Sequence, residues 1–445
     1  MTVDSHALPE ADDGGRTLAA LRRGELAGAR ELRFDGALTA VPEELFALGD
    51  TLEVLDLGRG TLTDLPAGMA RLGRLRALFL SGHRFARLPP VLGDCAALSQ
   101  IGCRGTGLRE LPGEALPPGL RWLTVTDNAL ETLPEALGRR PALQKLMLAG
   151  NRLAALPASL AGAGALELIR FAANRVTALP SWLAELPRLA WAGWAGNPCE
   201  PALPPVAAAP VPWAALAPGR LLGEGASGRV HAALWRAPDE GGRREVAVKL
   251  FKGAMTSDGL PDREMAAALR AGRHPHLAGA LGRVAGHPDG AEGLVMPLLP
   301  EGWRTLAGPP SLASCSRDVY DPALRLGPAV ASRLARGVAA AAAHLHARGL
   351  MHGDLYAHNV LWDGDAGAAV LSDFGAASAL PPAPEGAAWR RVEVRAFGLL
   401  LDEILDRCPA APPALRGLAA ACTGPARERP EMTDVLHGLS AAAPP

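Results

Sequence analysis

Leucines in the first half of the chain recur in a short motif, LxxLxL, with a period of 22 or 23 residues. The alternation within the motif predicts short strands with one buried face. Six copies begin at Leu52, Leu75, Leu98, Leu120, Leu143 and Leu166, and degenerate copies begin at Ala29 and Leu189. The regular spacing predicts a repeat architecture over residues 29–199.

Two further residue types keep the same period. Each repeat contains a proline preceded by leucine or valine, and each of the last four strand motifs is followed three residues later by asparagine. The prolines are Pro42, Pro66, Pro89, Pro112, Pro134, Pro157 and Pro180, and the asparagines are Asn128, Asn151, Asn174 and Asn197. One unit cannot bury its leucines alone, so stacked units must share a core. We expect the asparagines to bond buried loop backbone.

This pattern resembles the leucine-rich repeat family over residues 29–199. The resemblance implies an α/β solenoid with short parallel strands on its concave side. Residues 1–28 are predicted to be a tail followed by a helical cap. Aromatic residues and arginines dominate binding hot spots, so we expect a protein substrate or partner on the concave face. The residues predicted to face it are Asp56, Arg76, Phe79, Arg104, Arg121, Trp122, Lys145, Met147, Leu168, Arg170 and Trp191.

The periodic pattern ends at a segment rich in proline and alanine, and residues 200–216 are predicted to be a linker. The stretch LLGEGASGRV, residues 221–230, comes next. Its glycines Gly223, Gly225 and Gly228 would let backbone amides approach phosphate oxygens. A glycine-rich turn without a ligand explains this stretch equally well when it is taken alone.

A strand-like run, EVAVKL, carries Lys249, which is one of three lysines among 45 basic residues. A compact ammonium group fits between phosphate oxygens more readily than a guanidinium group. Fifteen residues later, the helical segment PDREMAAALRAG carries Glu264, which could orient Lys249.

A long alanine-rich helix leads into the polar stretch HGDLYAHN, residues 352–359. Asp354 stands five residues before Asn359, and Asp373 follows fourteen residues after Asn359 in LSDFGAAS. A carboxylate can accept a proton, and carboxylate and amide oxygens are the ligands that Mg²⁺ prefers. Each residue alone is more often a surface charge, but the ordered spacing favours a phosphoryl-transfer site.

The order of these segments resembles the eukaryotic-type protein kinase family over residues 217–440, which implies an α+β two-lobed domain after the repeats. The resemblance implies ATP and Mg²⁺ as cofactors. Asp354 would accept or orient the substrate hydroxyl proton, Lys249 would bind phosphates and be held by Glu264, and Asn359 and Asp373 would hold Mg²⁺. The implied nucleotide contacts are Leu222, Gly223, Glu224, Gly225, Ala226, Ser227, Gly228, Val230, Ala247, Lys249, Met296, Pro297 and Leu299. Soluble bacterial proteins that join repeats to a kinase match more closely than plant receptor kinases.

Four positions near the predicted catalytic loop depart from the family pattern. Gly353 replaces an arginine that pairs with a phosphorylated activation loop, which argues against loop phosphorylation as the switch. Tyr356 stands where serine/threonine kinases usually carry lysine, and His358 where many tyrosine kinases carry arginine. A neutral histidine would stabilise negative charge less well than either. Glu393 falls where the family usually has aspartate.

Two segments differ in length from the family pattern. Only 17 residues separate Gly375 from Glu393, so the part that normally presents a peptide is reduced. We therefore hypothesise that the repeats recruit the protein to be phosphorylated. The segment 301–322 is longer than expected, and a surface insertion is favoured over a lid or partner loop.

Composition places the chain among soluble globular proteins. It is 445 residues long, 49% apolar and 20% charged, with a net charge of -1, so nothing favours nucleic acid or an anionic membrane as a partner. The six cysteines form no CxxC pair, and the acidic N-terminus is not a signal peptide. With no long apolar run, a cytoplasmic protein without a membrane span is predicted.

Three functions remain open at this stage. The first is an active protein kinase, most consistent with serine or threonine as the acceptor. The second is a pseudokinase that binds nucleotide and acts as a scaffold for protein–protein interaction. The third is a kinase for a small molecule, which the reduced peptide platform would fit. The sequence does not identify the partner, the regulation or the oligomeric state.

Overall fold

A computed structural model of the chain describes residues 14–34, 36–204, 206, 210–225, 227–237, 242–253, 255–256 and 259–442. Within these residues the chain divides into two compact units. The first unit contains residues 14–188 and 197–199, and the second contains residues 189–196 and 200–442. The repeat pattern alone placed the boundary after residue 199, whereas the strand with the last repeat copy groups with the second unit.

The first unit begins with a short helix, and three-residue strands then recur through the repeats. The elements are α1 (Gly14–Arg22), β1 (Glu31–Arg33), β2 (Val54–Asp56), β3 (Ala77–Phe79), β4 (Gln100–Gly102), β5 (Trp122–Thr124), β6 (Lys145–Met147) and β7 (Leu168–Arg170). Neighbouring strands pair in parallel with corresponding repeat residues in register, as in Leu32 with Leu55 and Leu55 with Leu78. This stacking puts the second leucine of each motif in one continuous core. The predicted leucine-rich repeat solenoid is confirmed.

The prolines of the repeat start short 3₁₀ helices on the return path between strands. Pro42, Pro66, Pro89, Pro112, Pro134 and Pro157 each occupy the residue before such a helix, with φ between -59° and -73°. The proline ring fixes φ in this range, so the chain is already set for the turn. This constraint explains why proline keeps the period of the leucines.

The repeat asparagines satisfy buried backbone groups, as the sequence predicted. Asn151 donates its side-chain amide to the carbonyl oxygens of Val125 and Leu148, both at 2.9 Å, and accepts from the Leu130 amide at 3.0 Å. Asn174 makes the equivalent bonds one repeat later. Since these side chains are buried, each unmade bond would cost about 1–3 kcal/mol. The asparagines are therefore structural.

The second unit contains a mixed six-stranded sheet with one helix beside it. Its elements are β8 (Trp191–Gly193), β9 (Pro210–Pro212), β10 (Leu216–Glu224), β11 (Gly228–Arg236), β12 (Arg243–Phe251), α2 (Pro261–Ala271), β13 (Gly282–Ala285) and β14 (Gly293–Pro297). The strand order in the sheet is β10-β11-β12-β14-β13-β9. Strand β9 lies inside the predicted linker and pairs in parallel with β13 at the edge of the sheet. Pro210 and Pro212 fit that position because an edge strand need not donate every backbone hydrogen bond.

The rest of the second unit is mainly helical, with two small sheets. Its elements are β15 (Arg304–Thr305), α3 (Pro328–Ala347), β16 (Leu350–Met351), β17 (Val360–Trp362), β18 (Ala369–Leu371), β19 (Ser378–Ala379), α4 (Glu385–Asp406), α5 (Pro413–Thr423) and α6 (Met432–Ala441). Small residues let α3 pack closely on its neighbours, and α4 is buried along most of its length. Strand β16 pairs with β19, and β17 pairs with β15 and β18. The polar stretch 352–359 therefore joins two strands held in different sheets. None of the helices in the described residues is long and apolar enough to cross a membrane.

Candidate active site

A cavity of about 480 Å³ lies in the second unit beside strands β10, β11 and β12. This volume is in the usual range for small-molecule sites, about 300–1,000 Å³. The predicted residues that line it are Leu222, Gly223, Val230, Ala247, Lys249, Glu264, Met296, Pro297, Leu299 and Asp373. Sequence reasoning missed other lining residues, among them Trp303, Leu361 and Phe374. Leu361 lies on β17, two residues after Asn359. This position close to a predicted site residue could have indicated that Leu361 lines the cavity.

The glycine-rich turn between β10 and β11 is closed by a bond from the Gly225 amide to the Gly228 carbonyl oxygen at 2.9 Å. Gly228 must be glycine, because a Cβ there would lie 2.4 Å from the Leu250 carbonyl oxygen. A Cβ at Gly223 or Gly225 would meet no heavy atom of the described residues within 4 Å. Packing therefore does not explain those two glycines, whereas close approach of a ligand would. Ala226 lies outside the described residues.

Glu224 is engaged in ion pairs with Lys252 and Arg229 at the same turn. Hydrogen bonds from Lys252 and then Arg229 lower the pKa of the Glu224 carboxyl group. The Lys252 amide also donates to the Ser227 carbonyl oxygen at 3.0 Å. Glu224 and Ser227 thus hold the turn to strand β12, and neither lines the cavity.

Lys249 and Glu264 form a buried ion pair between β12 and α2. Lys249 is 8% exposed and Glu264 is 4% exposed. A buried charge needs a partner of opposite sign, so neither residue is a surface charge. The structure brings together the two residues that sequence analysis paired.

Asp354 and Asn359 are joined by two hydrogen bonds in the stretch 352–359. The Asn359 side-chain amide donates to the Asp354 carboxylate at 2.7 Å and to its carbonyl oxygen at 2.9 Å. The Asp354 amide donates to Nδ1 of His352 at 3.3 Å, and Nε2 of the fully buried His352 lies 3.2 Å from the Ser372 carbonyl oxygen. These bonds fix the Asp354 backbone and one carboxylate oxygen.

Asp373 reaches the cavity from the turn after β18. It has a left-handed backbone with φ of +65°, and its carboxylate accepts from the Gly375 amide at 2.9 Å. The Lys249 ammonium is the main cause that lowers the pKa of Asp373, against the opposing effect of burial. The Ser372 amide donates to the Asn359 carbonyl oxygen at 2.8 Å, which ties this turn to the stretch with Asp354. Asp373 is therefore an anion beside Lys249.

Glu393 on α4 contacts the stretch 352–359. Its carboxylate accepts from the Gly353 amide at 2.8 Å and lies 2.7 Å from Nε2 of His346. Burial raises the pKa of Glu393, but its bond with His346, the nearby charges and the Gly353 amide outweigh burial and lower it. The longer glutamate at this position thus carries out a structural task, with 1% of its surface exposed.

Gly353 has a steric reason to be glycine. Its φ is +74°, and a Cβ there would lie 2.4 Å from the carbonyl oxygen of Ala192 on β8 and 2.8 Å from that of Ala376. Both obstacles are backbone atoms, which cannot move aside as a flexible side chain can. The space next to Gly353 is therefore filled by β8.

Trp191 of β8 packs on the same stretch of chain. Its ring stacks on Tyr356 with the centroids 4.1 Å apart and the planes 8° apart, and its Nε1 donates to the Leu355 carbonyl oxygen at 3.0 Å. Trp191 is 2% exposed. The prediction that Trp191 faces a partner on the concave side is therefore wrong: it belongs to the second unit and packs beside Asp354.

His358 is held by Asp318, which sequence reasoning missed. The Asp318 carboxylate accepts from the His358 amide at 2.9 Å and lies 2.7 Å from its Nδ1. Burial lowers the pKa of His358, but Asp318, followed by Asp354 and Asp373, outweighs burial and raises it. The carboxylates thus favour the protonated form of His358 more than an isolated histidine would. The only signal was the unexpected length of segment 301–322.

Segment 301–322 is more than a surface insertion, which corrects the favoured interpretation. The Asp318 side chain is fully buried, and Cys315 and Ser316 are buried as well. Tyr320 donates to the Glu403 carboxylate of α4 at 3.0 Å. The segment is therefore packed between the candidate site and α4.

The residues predicted to face the concave side of the first unit divide into two groups. Trp122, Lys145, Met147, Leu168 and Arg170 are buried, and the Lys145 ammonium lies 4.2 Å from the centroid of the Trp122 ring. Asp56, Arg76, Phe79, Arg104 and Arg121 keep exposed surface. Only this second group is accessible to a partner in the structure.

Three known proteins or families are similar to parts of this chain. The family described as protein tyrosine and serine/threonine kinase matches residues 216–388. Toll-like receptor 12 of Mus musculus is 30% identical over 112 residues, which are 24% of this chain and 12% of that receptor. A leucine-rich repeat protein of Leptospira interrogans has a similar structure, with a TM-score of 0.36 and 21% identity over 40% of this chain and 52% of that one. Residues 216–388 of this chain thus form a domain that matches the protein tyrosine and serine/threonine kinase family.

Proposed function

We propose that this chain is an ATP- and Mg²⁺-dependent protein kinase that transfers a phosphoryl group to serine or threonine of a protein partner. The observation that carries the proposal is the position of Lys249, which is paired with Glu264 and close enough to Asp373 to lower its pKa. Phosphoryl transfer in kinases requires both the lysine–glutamate pair and the metal-binding aspartate to be in place. Lys249, Glu264 and Asp373 all line one cavity, which supports the proposal.

The residues present fit a magnesium ion. Asp373 is anionic, and Asn359 uses its amide nitrogen on Asp354, so its amide oxygen is the atom suited to a hard cation. When bound, Mg²⁺ would offset the charge of the triphosphate. Asp354, fixed through Asn359, would orient the acceptor hydroxyl and take its proton. Because Gly223 and Gly225 have no side chains, phosphate oxygens could approach their backbone amides closely.

Replacing Lys249 by alanine is expected to lower ATP turnover by about 100-fold, the usual effect of removing one charge-stabilising donor. Turnover with Mg²⁺ would be measured on the full chain, together with thermal melting, because Glu264 then lacks its buried partner. Lys252→Ala is the matched control, since that lysine pairs with the exposed Glu224 and should have a much smaller effect. Nucleotide binding without turnover in the wild-type chain would instead favour the scaffold function.

The proposed protein partner would bind the accessible group on the concave side, around Arg76, Phe79 and Arg104. Arginine and aromatic side chains there offer hydrogen bonds and apolar area of the kind that dominates interfaces. Phe79 packs across Gly102, since a Cβ at Gly102 would lie 2.7 Å from its ring. Removing the repeats is a poor test of this idea, because a fragment that starts after residue 199 also lacks Trp191.

Substituting Arg76, Phe79 and Arg104 together by alanine in the full chain is expected to leave turnover on a short serine/threonine peptide unchanged. Phosphorylation of protein sites in cells should fall by at least about tenfold, as expected when hot-spot side chains worth more than 1 kcal/mol each are lost. Quantitative phosphoproteomics would score the sites that depend on Asp354. Arg139→Ala, an exposed arginine on a 3₁₀ helix, is the control. Undiminished phosphorylation by the triple variant would contradict recruitment by this face.

All six cysteines are free thiols in the structure. Unpaired cysteines in this number suit a reducing compartment. A cytoplasmic location is therefore part of the proposal.

A further inference from the structure

We propose that strand β8 and Glu200 form a built-in clamp that holds the phosphoryl-transfer site in its working arrangement without phosphorylation, with Trp191 as a positioning residue. The proposal rests on the proposed kinase function and concerns how that site is kept ordered. In kinases regulated by phosphorylation, a phosphate on the activation segment pairs with arginine and orders the segment. In this chain glycine stands at the position of that arginine, and the one hydroxyl group between Gly375 and Glu393 is buried.

The segment after Gly375 offers no accessible phosphate acceptor. Among the 17 residues between Gly375 and Glu393, Ser378 is the only one with a hydroxyl group. Ser378 is 1% exposed, and its Oγ accepts from the Trp194 amide at 2.9 Å. A phosphate group would need this space and would break the bond to the segment that carries β8.

The arginine that would bind such a phosphate is absent because backbone atoms of β8 lie where its side chain would begin. At Gly353 the carbonyl oxygen of Ala192 occupies the space that the Cβ atom of any other residue would need. The backbone of β8 therefore lies where the regulatory side chain would begin. The presence of β8 therefore explains why glycine, and not arginine, stands at position 353.

Trp191 fixes the peptide that follows Asp354. Its Nε1 bonds to the Leu355 carbonyl oxygen, and its ring stacks on Tyr356. The Arg317 guanidinium, from segment 301–322, lies 5.0 Å from the centroid of the Trp191 ring. Because catalytic geometry must hold to within a fraction of an ångström, fixing these peptides acts directly on the placement of Asp354.

Glu200 extends the clamp to the segment after Asp373 and to α2. Its carboxylate accepts from the Ala379 amide at 3.0 Å and from the Gly196 amide at 2.8 Å. It also lies 3.7 Å from Arg263, which precedes Glu264 on α2. Arg263 is half exposed, so this ion pair is weak, and the two amide bonds carry most of the effect. The clamp thus connects the segment after Asp373 with the catalytic stretch.

The test compares full-length wild type with Trp191→Ala, Trp191→Phe and the control Trp182→Ala. Steady-state ATP turnover, the Kd of Mg-ADP and thermal melting would be measured on each. We expect Trp191→Ala to lower kcat by at least about tenfold with the Kd of Mg-ADP within twofold, as for loss of positioning. Trp191→Phe keeps a stacking ring and should recover part of kcat, whereas Trp182→Ala should match wild type. Phosphatase treatment, followed by intact mass, should leave wild-type kcat unchanged.

Hydrogen exchange separates this proposal from the proposed kinase function. Peptides covering residues 352–359 and 376–382 should exchange faster in Trp191→Ala than in wild type or Trp182→Ala, whether or not the chain turns over ATP. Unaltered exchange and kcat in a folded Trp191→Ala would overturn the clamp, and so would loss of wild-type kcat after phosphatase treatment. Faster exchange in a chain that never turns over ATP would support the clamp and reject the kinase function.

Discussion

Alanine in place of Asp354 should lower phosphoryl transfer by about 100- to 10,000-fold, the range observed when a general base is removed. Asp354 is held by the Asn359 amide at 2.7 Å and by its own backbone bonds, so its carboxylate is aimed rather than mobile. Nucleotide binding should change little, because Asp354 does not line the cavity. Turnover would be measured as ADP release with Mg²⁺, and binding by titration with Mg-ADP.

Two further variants make the Asp354 result specific. Asp354→Asn preserves the shape and an oxygen for the Asn359 bond but cannot take a proton, so it should be nearly as inactive as the alanine variant. Asp365→Ala removes an exposed aspartate from the turn after β17 and should keep wild-type turnover. Wild-type turnover in Asp354→Ala would show that the transfer proceeds without this carboxylate, and would contradict the role proposed for Asp354.

Restoring the family arginine by Gly353→Arg is expected to inactivate the chain. The new Cβ would have to enter space held by the Ala192 and Ala376 carbonyl oxygens, on a backbone with φ of +74°. A left-handed conformation costs a non-glycine residue about 1–2 kcal/mol, and overpacking adds about 1–3 kcal/mol. Several kcal/mol are a large part of the stability of an ordinary domain. Urea unfolding and ATP turnover would measure the loss.

Gly349 offers a matched control for the steric part of that loss. Its φ is +71°, but a Cβ there would meet nothing closer than 3.9 Å. Gly349→Ala should therefore show the conformational cost alone, while Gly353→Ala should show that cost together with the clash. Equal losses of stability in the two alanine variants would mean that β8 does not occupy the space beside Gly353.

The features that could be predicted from sequence are those fixed by local spacing. The leucine period predicted the solenoid because alternate residues of a strand share one face and each unit needs a neighbour to bury that face. Asn151 and its equivalents bond the backbone of their own repeat and of the preceding one, so their role follows from the same period. Lys249, Glu264, Asp354, Asn359 and Asp373 were predicted by order and spacing. The structure places Lys249, Glu264 and Asp373 in the lining of one cavity, and it joins Asp354 to Asn359 by hydrogen bonds.

The surroundings of those residues could not be predicted in this way. Asp318 meets His358 across 40 residues, and nothing in segment 301–322 marks which aspartate turns inward. Trp191 had the repeat spacing of a concave residue, yet its indole bonds to Leu355, 164 residues away. A period describes only which residues share a face, and it does not say what the final copy packs against.

By itself the sequence determined the repeat solenoid and the order of the kinase-like motifs, because periodicity and motif spacing depend on near neighbours along the chain. Only the tertiary structure decided why Gly353 replaces an arginine, why Ser378 is inaccessible and where Trp191 acts. These properties arise from contacts between segments far apart in sequence, and such contacts form only when the second unit folds.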